Sequence, residues 1–405
     1  MSTLGSGSHS IDLNGLDGAN PLGFLAALGS LVVTRAAGES AARLRWRRSR
    51  TWTPVLESLT AADRAQLCER LAGDLRGKKV STDAGKRRDD ADKTHQQART
   101  AVKKEREGIK EEKLRGQERK EALEKRVRPL EEQANEKRKA WLAALKDAVP
   151  RPELALGARI DCTSREYREH ARGFVDGGDG AAREALGLLA AFGSDGCIED
   201  GKGDPRERKI EATPFCFIRG SGHQDFLDTV LKLLAEVTAE RVAQALFEPW
   251  IYRDPGLSMR WDPGEDKRYA LADVKPADEG AQTVWMANLL AYRSLVLFPC
   301  APTRRGLGTT GWATTEDDAA FTWPLWEFAA EPDTVRTLLQ MEALRDARLD
   351  RSALDARGIM AVFRARRIRF PPTGSSYKLN FSPARALLSG FAVSPSRSRC
   401  ARKPC

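Results

Sequence analysis

Two groupings of side chains in this 405-residue sequence could do chemistry. The first is acidic. Asp254-Pro255, Asp262-Pro263 and Glu265-Asp266-Lys267 crowd one short segment. A divalent-metal nuclease gathers two or three carboxylates around a cation and places a lysine near the attacking water. Asp254, Asp262, Glu265 and Lys267 echo that set. Turn carboxylates also cap backbone amides or sit in solvent, which is the structural alternative. The second grouping is basic and aromatic. Trp46 and Trp52 alternate with Arg45, Arg47, Arg48 and Arg50, and Arg364, Arg366, Arg367 and Arg369 alternate with Phe363, Ile368 and Phe370. Guanidinium groups pair with phosphates, and flat rings stack on bases. The alternative is a pair of strands with core aromatics and solvated or ion-paired arginines.

Other chemistries are less well served. Arg219-Gly220-Ser221-Gly222-His223-Gln224-Asp225 is a glycine-rich turn ahead of a helix. Its amides could hold an anion with help from Arg219 and His223, or Ser221 or Asp225 could simply cap the helix. A phosphate loop needs Gly, four residues, then Gly-Lys-Ser/Thr. Gly77-Lys78 lacks the first glycine and the hydroxyl, and Gly201-Lys202 is followed by Gly203. The seven cysteines contain no Cys-x-x-Cys pair and the histidines number four, so no zinc site is expected. Neither a resident metal nor a cofactor is expected.

The elements that must position these groups follow from pattern and charge. The chain carries 67 Lys+Arg against 57 Asp+Glu, a net +10. Residues 78–146 hold 22 basic against 14 acidic residues, and residues 391–405 add four cations and no acid. Residues 147–390 are mildly acidic. Local attraction to polyanions fits this distribution better than a uniformly basic protein does. No run of 18 apolar residues occurs, so no spanning helix is expected. The start lacks a basic segment followed by an apolar one, and a cytoplasmic location is the simplest expectation.

The expected fold class is α+β: helices mixed with short antiparallel strands and a long charged helical arm or hairpin inserted between them. The expected parts are an N-terminal α+β part (1–77), the charged insertion (78–146), a main α+β body (147–390) and a basic flexible tail (391–405). Asn20 caps a helix opened by Pro21. Residues 44–52 read as a strand and 59–75 as an amphipathic helix. Residues 78–146 suit helix, but heptads place large apolar side chains only in the last third. Pro129 should interrupt it, and residues 147–152 should link it onward. Strands are expected at 158–163, 210–219, 306–312, 321–326 and 360–370. Helices are expected at 180–192, 226–247, 281–297 and 335–344. A polar loop should cover 193–208, and a hairpin 257–271, turning at Asp262-Pro263-Gly264.

Asn14-Gly15-Leu16-Asp17-Gly18-Ala19-Asn20-Pro21-Leu22-Gly23-Phe24-Leu25-Ala26-Ala27-Leu28-Gly29 resembles the opening of proteins encoded in type I-G (formerly I-U) CRISPR–Cas loci. Gly220-Ser221-Gly222-His223-Gln224, Arg260-Trp261-Asp262-Pro263 through Ala270, and Phe321-Thr322-Trp323-Pro324-Leu325-Trp326 share the resemblance. The similar family is the accessory one described as an extension of the CRISPR helicase-nuclease. The resemblance spans about residues 11–381 and skips 78–146. It implies a non-catalytic subunit or adaptor of an antiviral effector, with guide RNA or target DNA, effector subunits or the helicase-nuclease as partners. It implies no catalytic residue.

The expected function is therefore nucleic-acid or effector contact through Arg45, Trp46, Arg47, Arg48, Arg50, Trp52, Arg364, Arg366, Arg367 and Arg369. The alternatives are the metal-dependent nuclease and a protein–protein adaptor using residues 78–146. No membrane partner is expected.

Overall fold

A computed structural model describes residues 9–175, 180–200, 204–218, 225–267, 282–314, 319–345, 348–370 and 378–389. In chain order these form β1 (His9–Asp12), α1 (Pro21–Ala36), β2 (Arg43–Arg48), β3 (Trp52–Leu59), α2 (Arg64–Arg76), α3 (Thr82–Glu111), α4 (Gly116–Ala122) and α5 (Arg128–Ala148). Then come α6 (Ser164–Val175), α7 (Gly180–Phe192), β4 (Gly193–Ile198), β5 (Ile210–Ala212), α8 (Phe226–Ala235), α9 (Ala239–Phe247), β6 (Asp254–Pro255), α10 (Gly264–Lys267) and β7 (Gln282–Thr283). The remainder is α11 (Trp285–Ser294), β8 (Cys300–Thr303), β9 (Gly306–Thr309), β10 (Trp312–Thr314), β11 (Ala319–Trp326), α12 (Pro332–Gln340), α13 (Arg351–Asp355), β12 (Ile359–Phe370), β13 (Lys378–Phe381) and β14 (Arg385–Ser389). Helix is 52% and strand 21%, in small antiparallel sheets, so the class is α+β.

The N-terminal signature builds the centre. Asn20 accepts from the amides of Leu22 and Gly23, and Pro21 opens α1 where an amide hydrogen has no helical partner. α1 is buried on nearly every side, because it lies between the sheets and α11. At their crossing a Cβ on Gly29 would stand 1.7 Å from the Leu290 carbonyl oxygen, so only glycine allows this approach. The three-stranded sheet runs β1-β3-β2; the larger one runs β10-β11-β12-β13, with β14 also beside β12. A backbone bridge ties Leu44 of β2 to Ala330, four residues past the end of β11. One apolar core runs from Ile11 to Leu388 and includes Leu145 and Val149.

The charged segment forms paired helices. α3 and α5 run antiparallel, with His95 stacked on Trp141 at 5.4 Å and Arg126 paired with both Glu105 and Glu112. Buried Ala84, His95, Ile109, Val127, Ala134 and Leu145 line the contact. The seam is sparse, as the heptads indicate, and beyond its last third it adds the buried Ile109 and the His95–Trp141 stack. Pro129 stands in the first turn of α5, where the expected interruption falls. A π-helical turn at Leu123–Val127 absorbs it ahead of α5, consistent with the missing amide and the crowded preceding turn. The helices leave and return at one point, where the Lys78 amide donates to the Pro150 carbonyl at 2.9 Å. Residues 147–152 are not a loose linker. Arg151 and the fully buried Arg293 share Asp74 and Glu184 as ion partners.

Several other expectations change. Residues 44–52 are a hairpin, not one strand, because Ser49-Arg50-Thr51 turns and pairs β2 with β3. Residues 158–163 carry only an isolated bridge from Thr163 to Lys209. The expected loop at 193–208 begins with β4, and the strand at 210–219 ends at Ala212 within its described part. The helix at 226–247 is split, because the Thr238 hydroxyl caps α9. The hairpin at 257–271 is absent from its described part. Asp262 accepts from the Gly264 amide and starts α10 instead. The basic tail 391–405 lies outside the described residues.

Candidate nucleic-acid interface and the buried carboxylates

The two arginine strands have different fates. In β2, Leu44 and Trp46 point inward, while Arg43, Arg45 and Arg47 point outward. Arg45 pairs with Glu57 on the neighbouring strand, and Arg47 pairs with Asp12 on β1. Arg48 lies over the Trp52 ring at 5.5 Å, and Arg50 is exposed in the turn. Trp46 stacks on Phe24 at 5.7 Å and meets Trp326 edge-on at 6.1 Å. Trp52 packs edge-on against Phe363. Both tryptophans are buried, so neither presents a face to a base. The expected stacking role of Trp46 and Trp52 is corrected. An alternating strand beside a second sheet puts its rings in the core.

β12 keeps more of its charge at the surface. Phe363, Ala365 and Arg367 share the inward face, and Arg367 lies 6.0 Å from the Trp312 ring centre. Arg364 and Arg366 share the opposite face, and Arg366 and Arg369 are exposed. Arg364 Nε donates to the Thr322 hydroxyl at 2.8 Å, which fixes the guanidinium across from β11. Directly opposite the half-buried Arg364 on the other side stands the exposed Arg385 of β14. Residues facing each other across antiparallel strands share one face, and like charges there are unfavourable. Neither Arg364 nor Arg385 has a carboxylate partner among the described residues. Arg385 is the member of this group that sequence reading missed. A single arginine in Arg385-Ala386-Leu387-Leu388 carries no signal until strand register places it.

The acidic segment is built inward. Asp262 is fully buried. Its Oδ1 accepts from Asn20 Nδ2 at 2.9 Å and from the Gly264 amide at 2.7 Å. Its Oδ2 accepts from the Tyr252 hydroxyl at 2.8 Å. Glu265 accepts from the Ser258 and Thr283 hydroxyls. Burial, with the nearby Asp262 charge, pushes the Glu265 carboxyl up to about 8. Asp254 accepts from the Trp285 amide at 2.8 Å and so caps α11. The oxygens proposed to hold a cation are thus occupied by donors from the fold itself. No metal-ligand cluster occurs among the described residues. The Lys267 side chain lies outside the description, as do Arg219 and His223.

The segments carrying the resemblance converge. Asn20 reaches Asp262, Trp323 Nε1 donates to the Gly18 carbonyl at 2.8 Å, and Phe24 lies 5.7 Å from the Trp323 ring. No family model matches the chain, and no curated protein matches it either. Among the described residues, no helix is long and apolar enough to cross a membrane.

Proposed function

We propose that this chain is a non-catalytic subunit or adaptor of a type I CRISPR–Cas antiviral system that contacts nucleic acid through β12 and β14. The observation that carries the reading is the juxtaposition of half-buried Arg364 and exposed Arg385 on one sheet face without a carboxylate partner among the described residues. Folds keep such unfavourable pairs where an external anion relieves them. Phosphate is the matching anion, because guanidinium forks fit its oxygens. The resemblance around Asn20, Asp262 and Trp323 supplies the defence context, and a cytoplasmic setting goes with it. The nuclease alternative is disfavoured by the donors already bound to Asp254, Asp262 and Glu265.

Fluorescence anisotropy with labelled duplex DNA, single-stranded DNA and RNA tests the proposal across a salt series. Binding should weaken steeply with salt, and Arg364→Ala/Arg385→Ala should lower the log–log slope by about 2. A slope unchanged by the double substitution rejects this face. No binding of any nucleic acid at low salt rejects the function.

A further inference from the structure

The sheet formed by β10 to β14 carries cations and no carboxylate. Its charged residues are Arg364, Arg366, Arg367, Arg369, Lys378 and Arg385. No Asp or Glu occurs anywhere between Ile359 and Cys405. Strand alternation sets Arg364, Arg366 and Ile368 in one row along β12, with a repeat of about 6.8 Å. Arg385 stands beside Arg364 at one end of the row, and Lys378 lies across from Phe370 at the other. Arg366, Lys378 and Arg385 are exposed, and Ile368, set among them, is 38% exposed.

Arg364 is fixed before any partner arrives. Its Nε donates to the Thr322 hydroxyl at 2.8 Å, and its two terminal nitrogens have no partner among the described residues. A guanidinium held this way loses little freedom on meeting a phosphate. The row therefore suits a partner with phosphate at one end and an apolar surface at the other. A duplex offers phosphates on its outside and base edges in its grooves, while its base faces are closed in the stack. A single strand turns its base faces outward, and such faces pack against apolar side chains.

We infer that this face takes single-stranded nucleic acid, whose phosphates lie on Arg364, Arg366 and Arg385 and whose adjoining base covers Ile368. The inference rests on the reading of β12 and β14 as a nucleic-acid face and names the class of ligand for it. The isoleucine gives contact without reading sequence, because every base has an apolar face.

Fluorescence anisotropy of the full chain with labelled oligothymidine, oligouridine and a blunt DNA duplex of equal phosphate count tests it. Charge density alone favours the duplex, so a preference for single strands is informative. Single strands should bind at least about tenfold more tightly than the duplex. Ile368→Ser should weaken single-strand binding about fivefold and leave duplex binding and the salt slope unchanged. Ile368→Trp should strengthen single-strand binding, which a purely structural isoleucine would not do. The side chain is exposed, and thermal melting checks that both variants fold. Duplex binding as tight as single-strand binding overturns the inference, as does single-strand binding that neither variant alters. Displacement of oligothymidine by polyglutamate as readily as by unlabelled oligothymidine also overturns it, and makes an acidic protein the occupant. A duplex that binds equally well and still loses salt slope in Arg364→Ala/Arg385→Ala leaves the proposed function standing, whereas no binding of any nucleic acid removes both.

Discussion

Asn20 Nδ2 donates to Asp262 Oδ1 at 2.9 Å across 242 positions of sequence, while Asn20 Oδ1 caps α1. One amide therefore fastens the N-terminal helix to the acidic loop. Serving both at once requires a side chain that accepts at one end and donates at the other.

Asn20→Ala should destabilise the chain by about 2–4 kcal/mol, a lost cap together with a buried carboxylate missing a donor. Asn20→Asp keeps a capping oxygen but sets a second carboxylate against Asp262, and should cost at least as much at neutral pH. Urea denaturation at pH 7 and pH 5 checks both. Asn20→Asp should recover part of its loss at pH 5, where a shared proton relieves the repulsion.

Glu265 gives a pH dependence of known sign. The fold holds its proton to about pH 8, whereas the ordinary carboxyl releases it near 4.5. Unfolding between those values releases a proton. The contribution is therefore complete below about 4.5 and is lost as pH rises toward 8, with a slope of about 1.4 kcal/mol per pH unit. Glu265→Gln keeps the side chain neutral and should flatten that slope. Equal slopes for wild type and variant would show that Glu265 is ionised in the fold.

His170 acts with the opposite sign. Burial, with Lys146 nearby, pushes its imidazole down to about 4 from 6.5, and its Nε2 is buried without a hydrogen-bond partner among the described residues. The unfolded chain takes up the proton first, so stability is lost as pH falls from 6.5 toward 4. His95, stacked on Trp141, is lowered in the same direction by burial and Arg99. His170→Leu should reduce the stability lost between pH 7 and pH 5 by at most about 2 kcal/mol. Hydrogen exchange of α5 and α6 at the two pH values would locate the effect.

Two backbone positions should respond oppositely to glycine chemistry. Gly29→Ala drives a methyl into the Leu290 carbonyl and should cost about 3 kcal/mol or prevent folding. Lys113, just past the end of α3, has φ 53° where glycine is the preferred residue. Lys113→Gly should gain about 0.5–1 kcal/mol. Thermal melts of both variants test the pair.

Local pattern was enough for the elements that carry their own signals. Asn20-Pro21 marked the start of α1, and β11 and β12 were legible as apolar and alternating runs. The α+β class followed from the mixture, and the helices Thr82–Glu111 and Arg128–Ala148 from the composition of 78–146. Period alone also told which side of β2 each residue takes. It could not tell what lies on that side. Trp46 is a core ring because a second sheet brings Trp326 and α1 brings Phe24 against it. Arg45 is neutralised because register sets Glu57 within reach, whereas Arg364 faces Arg385 because register sets β14 there. The acidic segment read as a metal site because charge is visible in sequence, while the donors that consume it are not. Asn20, Tyr252, Ser258 and Thr283 reach Asp262 and Glu265 only through folding. Residue type and spacing thus determined charge, periodicity and chain direction. Partnership was decided by tertiary structure, because hydrogen bonds and ion pairs depend on distances of a few ångströms between groups far apart along the chain.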